Sequence, residues 1–201
     1  MAIVDWLLER SFIYRTWQRP FAEHKLAPIV AGGDIARARR VLDVGCGPGT
    51  NAPHFRHADY LGVDINQNYV ANATRRYGRR FVAADVTAYT AEHEGRFDFI
   101  LVNSLLHHLE TSAVRRLLSH LAQLLSDDGY MHILDLVLPD KRYSVSAALA
   151  RADRGDFPRP LEEWRTMFGE LLDVQHFEPY PLGVGRITLW NMVYCKGCSR
   201  R

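Results

Sequence analysis

Three carboxylates, a glycine run and a pair of histidines are the residues of this 201-residue chain whose types and spacing suggest chemistry. Asp43 stands two residues before Gly45-Cys46-Gly47-Pro48-Gly49, and Asp64 and Asp85 follow at successive intervals of 21 residues. Glycine lets a backbone approach a ligand closely and take conformations that a side chain forbids. The spacing is GxGxG rather than GxGxxG, and Pro48 has no N–H to donate, so the turn is a poor phosphate cradle. Asp43 is expected to face the mouth of the turn. There it would repel a pyrophosphate and suit a ligand carrying an ammonium and a sulfonium; the plainer alternative is a carboxylate that organises the turn by hydrogen bonds. Asp64 ends the run Tyr60-Leu61-Gly62-Val63 and is placed to accept from both hydroxyls of a ribose. Asp85 follows Phe81-Val82-Ala83-Ala84 and is placed to accept from an adenine amino group. One acid after an apolar run is common; three in succession point to a nucleoside.

The elements that must position these residues alternate. Short β-type runs at 41–44, 60–63, 80–83, 97–102 and 130–137 are separated by helical stretches, the clearest at 112–125, with leucines at 117, 118, 121, 124 and 125. Such alternation predicts an α/β fold, a Rossmann-like doubly wound sheet with helices on both faces. Ligands then bind beyond the carboxyl ends of the strands, where the strand order reverses. Extended stretches at 172–177 and 187–194 have no helix between them, which predicts a terminal hairpin and a mixed sheet at one edge. Further helices are expected at 3–17, 21–31, 144–152 and 161–168. The chain reads as a single domain: a helical cap at 1–35, a nucleoside-binding core at 40–138, and helices with a hairpin at 139–201.

Composition narrows the partners. A net charge of +2, with arginines in short clusters near element ends, does not make the broad basic face that nucleic acid requires. No apolar stretch approaches the roughly 20 residues of a membrane span, so no integral membrane association is expected, and a cytoplasmic location is the default expectation. The apolar first helix leaves weak surface contact open. Cys195-Lys196-Gly197-Cys198 has the spacing of a metal knuckle. Zinc takes four protein ligands, or three and water, and no second pair accompanies it, so no metal is expected.

With these motifs assembled, 40–138 resembles the class I methyltransferases that use S-adenosylmethionine (SAM). The resemblance is carried by Val41-Leu42-Asp43-Val44-Gly45-Cys46-Gly47, by the acids at 64 and 85, and by Leu106-His107-His108-Leu109 after the fourth strand, a segment seen in many small-molecule members. It is also carried by Leu124-Leu125-Ser126-Asp127-Asp128-Gly129 before the fifth, where Asp127-Asp128 replaces the usual Pro-Gly. The resemblance implies a seven-stranded sheet of order 3-2-1-4-5-7-6 with strand seven antiparallel, and SAM as cofactor. It further implies that Gly45, Cys46 and Gly47 line the methionine part, that Asp85 and Val86 flank the adenine with Ile65 nearby, and that Asn103 presents its carbonyl to the methionine end.

Methyl transfer is an in-line displacement at a carbon the sulfonium has already activated, so positioning carries much of the rate. A base is needed only for an acceptor that starts protonated. His107 and His108 are the candidates. They point about 100° apart on a helical turn, and His108 is the preferred one. Within the resemblance, Asn103-Ser104-Leu105-Leu106 departs from the Asn/Asp-Pro-Pro-Tyr/Phe of nucleobase and glutamine methyltransferases, and Asn103 departs from the acid of the Mg²⁺-dependent catechol enzymes. A small-molecule, partly hydrophobic acceptor is expected, under a lid that includes Tyr14, Trp17 and Trp164, with Arg159 or Arg186 available to an anionic group. The alternative function is SAM binding without methyl transfer; the sequence leaves the oligomeric state open.

Overall fold

The computed structural model describes residues 24–87, 89, 96–139, 146, 149–150, 157–184 and 187–200. Within them, seven strands form one sheet: β1 (Arg40–Val44), β2 (Asp59–Asp64), β3 (Arg80–Ala83), β4 (Phe97–Asn103), β5 (Leu125–Val137), β6 (Leu172–Val184) and β7 (Ile187–Ser199). The order is β3-β2-β1-β4-β5-β7-β6, with β7 antiparallel to both neighbours. This is the Rossmann-like methyltransferase sheet that the alternation and the resemblance predict. Around it lie α1 (Ala27–Ala31), α2 (Asp34–Arg37), α3 (Gln67–Tyr77), α4 (Thr111–Leu124) and α5 (Leu161–Leu171), with 3-10 turns at Ala52–Phe55 and Leu106–His108.

Strand periodicity sorts the core into two layers. Along β1, Val41 packs on the face that carries Leu26, Ile29, Phe55 and Tyr60, whereas Leu42 and Val44 pack on the face that carries Leu117, Leu121 and Trp164. Successive side chains leave a strand on opposite faces, so Asp43 shares the side of Val41. α4 buries Val114, Leu117, Leu118 and Leu121, a stripe with helical spacing. α3 begins where the Asn66 side chain accepts from the N–H groups of Asn68 and Tyr69, and ends at Gly78 in the left-handed conformation.

The two edge strands run further than the apolar pattern suggests. β6 contains Pro179 and Pro181, which cannot donate to a ladder, and it lies at the sheet edge, where that loss is tolerated. β7 extends through Ser199, so Cys195 and Cys198 are both strand residues. Three positions apart on an extended strand, they leave from opposite faces. Cys195 is buried, its thiol pushed up to about 12 by desolvation, and Cys198 lies against Asp173. The sequence motif is therefore not a knuckle. The helix expected at 144–152 falls mostly outside the described residues, as do Tyr14, Trp17 and Arg186. Among the described residues, no helix is long and apolar enough to cross a membrane.

Gly62 lets β1, β2 and β3 close under the glycine turn. A Cβ there would stand 2.5 Å from Cδ1 of Phe81 and 2.9 Å from Sγ of Cys46. Gly62→Ala is expected to lose about 1–3 kcal/mol through this overpacking, read as a lower urea midpoint with an unchanged m-value.

Candidate active site

β1 lies between β2 and β4, so the strand order reverses at its carboxyl end, and the glycine turn occupies that point. The N–H groups of Gly45 and Cys46 both donate to the Val63 carbonyl, at 2.8 and 3.0 Å, which pins the turn to β2. Two glycines then do different jobs. At Gly49 (φ 76°) a Cβ would stand 2.8 Å from Phe81 and 2.9 Å from Ala73, so its missing side chain admits the packing of α3. At Gly47 (φ 54°) a Cβ would meet nothing within 4 Å, so the backbone there is bare and open toward a ligand.

The three acids stand at consecutive strand tips but do not share one role. Asp64 is half-buried; one oxygen accepts from Gly47 N–H (2.8 Å) and the other from Asn66 N–H (2.8 Å). An ionised carboxylate offers about four acceptor sites, so capacity for ribose hydroxyls remains. Ile65, next in the chain, is 74% exposed at the same tip, an apolar side chain suited to a base. Asp85 is exposed and holds Thr87 through its N–H and hydroxyl, which pull the carboxyl below its ordinary value. Val86 packs partly into the core beside it. An open glycine backbone, an acceptor at the β2 tip and an exposed isoleucine make a donor and acceptor set that fits SAM.

Asp43 corrects the expectation that it faces the mouth. It is 0% exposed and points inward, accepting from the Tyr60 hydroxyl (2.6 Å) and the Asn51 amide (3.1 and 3.3 Å). Burial pushes its carboxyl up to about 6, against the pull of those two donors. The alternative role, organising the turn, is the observed one. Asn51 is not among the candidates, although it lies only two residues past the glycine run. Its Oδ1 accepts from the Asn103 amide (3.3 Å), so the side chain of Asn103 is tied to the turn. Asn103 Oδ1 in turn accepts from the Ser104 hydroxyl (3.1 Å), and Ser104 Oγ accepts from Nζ of Lys25 (3.0 Å).

Beyond Asn103, β4 turns into Leu106–His108. His107 is 3% exposed, and its Nδ1 lies 2.6 Å from Asp135 Oδ1, on the neighbouring strand β5. Asp135 also accepts from the N–H groups of Leu106 and Leu136, both at 2.7 Å. Burial pushes its carboxyl up, but His107 and the two N–H groups outweigh that and hold it below its ordinary value. His108 is exposed, its ring centroid 4.1 Å from that of His107. Arg159 clamps the turn from both ends, donating to the carbonyls of Leu106 (3.1 Å) and Leu109 (2.7 Å), with Glu163 at 3.2 Å. Buried and fully engaged there, it does not meet an acceptor. Trp164 is likewise removed from the lid: it is 0% exposed, donates to the Leu136 carbonyl (3.0 Å) and stacks on Phe168 in the core.

The profile of the family described as methyltransferase domain matches residues 14–181. The chain belongs to the class I methyltransferases that use S-adenosylmethionine. It is similar to a trans-aconitate 2-methyltransferase of Delftia acidovorans, 26% identical over 194 residues that cover 88% of this chain and 68% of the other. A trans-aconitate 2-methyltransferase of Methylobacterium nodulans is 32% identical over 146 residues, covering 69% and 54%. The chain thus spans between about half and two thirds of the length of these relatives. Among solved structures, the plantazolicin methyltransferase BpumL, in complex with a triazolic desmethyl analogue and S-adenosylhomocysteine (SAH), superposes with a TM-score of 0.72 at 17% identity. That match covers 94% of this chain and 90% of the other, and it shows the shared fold.

Two outcomes test this arrangement. Asp64→Ala is expected to weaken SAH about 10- to 100-fold by calorimetry, the loss of charge-assisted hydrogen bonds. Asp43 keeps its proton to a higher pH in the folded chain than the ordinary value of 3.8. The native state therefore binds more protons in that window, and stability falls as pH rises from about 4 to about 6. The contribution is about 3 kcal/mol, so urea unfolding of Asp43→Asn should show a flatter pH dependence than the parent over that range.

Proposed function

We propose that this methyltransferase acts on a hydroxyl of a small, partly hydrophobic molecule, with His107 as the base. The observation that carries the reading is the buried His107–Asp135 pair, placed where β4 and β5 end beside the glycine turn. Asp135, held ionised, can only accept, so the hydrogen between the pair belongs to Nδ1 of His107. That fixes the tautomer and leaves Nε2 as the basic nitrogen, the arrangement a general base requires. It also reverses the preference for His108, which is exposed on the same turn.

Bound SAM would supply a methyl carbon already activated by its sulfonium, held by the Gly45–Gly47 backbone, Asp64, Ile65 and Asp85. The chain's own task is then to align the acceptor oxygen and remove its proton, which passes to Nε2 while Asp135 stabilises the imidazolium. Phe157 is 43% exposed, and its N–H donates to the His107 carbonyl (3.0 Å). An exposed apolar side chain on the segment that pairs with the histidine turn suits a partly hydrophobic acceptor. The names of the trans-aconitate relatives support a small molecule as the acceptor.

His107→Ala and Asp135→Asn are expected to lower kcat by about 10²–10⁴-fold and leave SAH affinity within about twofold. The readout is SAH release with a hydroxylated acceptor found by screening metabolite fractions. His108→Ala should cost far less, and equal losses for the two histidines would count against the assignment. Circular dichroism and SAH calorimetry on each variant separate lost chemistry from lost fold.

A further inference from the structure

The guanidinium of Arg159 carries five N–H donors, and five acceptors meet them. Nη1 donates to the carbonyls of Leu106 and Phe157, both at 3.1 Å. Nη2 donates to the Leu109 carbonyl (2.7 Å) and the Thr111 hydroxyl (3.3 Å), and Nε lies 3.2 Å from the Glu163 carboxylate. The residue is 3% exposed. A charge so deeply placed is costly unless its hydrogen bonds are made, and three of these five acceptors lie on the histidine turn or at the start of α4.

The backbone of the same segment is fixed on two sides. Arg159 bridges Val137 in parallel, and its carbonyl accepts from Leu138 N–H at 2.8 Å. Two residues earlier, Phe157 N–H donates to the His107 carbonyl at 3.0 Å. Residues 157–159 are thus a strap, joined to the end of β5 at one point and to the histidine turn at the other.

The strap works opposite Asp135. The carboxylate holds the N–H of Leu106 (2.7 Å) and Nδ1 of His107 (2.6 Å). The strap holds the carbonyls of the same two residues, Leu106 through Arg159 and His107 through Phe157. Asp135 alone would leave the turn able to pivot about one carboxylate; the strap removes that freedom. The opposite charges of Arg159 and Asp135 also attract one another. A lysine would keep the charge but not the planar fork that reaches both ends of the turn.

We infer that Arg159 is the positioning residue of the histidine turn: through the Leu106 and Leu109 carbonyls it holds the His107 ring on Asp135 and so aims the base. The inference rests on the reading of His107 as the base. It gives Arg159 an effect on chemistry without contact with either reactant, because a displacement of about 1 Å from a remote change can cost about 10²-fold in rate.

Proton NMR of the full chain labelled with ¹⁵N-histidine tests this, with every sample saturated in SAH to stabilise the folded form. In wild type the Nδ1 proton bonded to Asp135 is expected as a far-downfield resonance that His107→Ala removes. Arg159→Lys and Arg159→Met are expected to lose that resonance and to lower kcat about 10²-fold, with SAH affinity within about twofold of wild type. Glu163 is half-exposed, so Glu163→Gln leaves the fold intact; loosening one arm of the fork, it should weaken the resonance and lower kcat about two- to fivefold. A guanidinium that served the fold alone would lower only the urea midpoint. An unchanged resonance and kcat in folded Arg159→Lys, or in Glu163→Gln where the Arg159 variants do not fold, overturns the inference. A fully active His107→Ala would instead overturn the assignment of the base beneath it.

Discussion

The arrangement of the site depends on one buried carboxylate that, among the described residues, is held by neutral donors. Asp43 sits at the end of the central strand and, among the described residues, receives neutral donors, a phenol from β2 and the amide of Asn51, two residues past the glycine run. An ionised group so placed must be hydrogen-bonded or it costs more than the fold can offset. Each donor it recruits brings an element with it. Tyr60 ties β2 to β1, Asn51 ties down the far side of the turn, and through Asn51 the amide of Asn103 ties in β4. Three strand tips and the turn are thereby drawn together, and Asp64 accepts from Gly47 N–H on the outer side of the same turn.

A second buried carboxylate shows how environment separates two chemically identical groups. Asp135 is as deeply buried as Asp43, yet its carboxyl lies below its ordinary value while that of Asp43 is pushed up to about 6. The difference is in the partners: an imidazole and two backbone N–H groups in one case, a phenol and an amide in the other. Donors that strengthen with charge favour the ionised form, and desolvation favours the neutral one. One acid organises a turn; the other orients a histidine.

Around these two centres, side chains that look reactive in the sequence have been spent on the backbone. Arg159 satisfies carbonyls on both sides of the Leu106–His108 turn and covers the Trp164 ring at 4.9 Å. Trp164 gives its indole N–H to β5. These contacts fix the height and tilt of the turn that carries both histidines, and they leave the open surface to Gly47, Ile65, Asp85 and Phe157.

The sequence by itself determined the order of the elements along the chain, the helical stripe of α4, the sheet class and the place of the glycine turn at the end of β1. Those follow from local periodicity and from glycine spacing, which act between residues near in the chain. The family resemblance supplied the order of the strands. Only the tertiary structure decided where each polar side chain points. Asp43 shares a parity with Val41 that turns it inward, and Tyr60, 17 residues away, completes the seal. His107 found its orienting partner 28 residues on, across a strand pairing that no local pattern encodes. Cys195 and Cys198 lost their knuckle spacing when the strand ran on through them, and Lys25 meets Ser104 across 79 residues. A hydrogen bond's direction depends on the donor opposite, and the donor opposite is chosen by the fold.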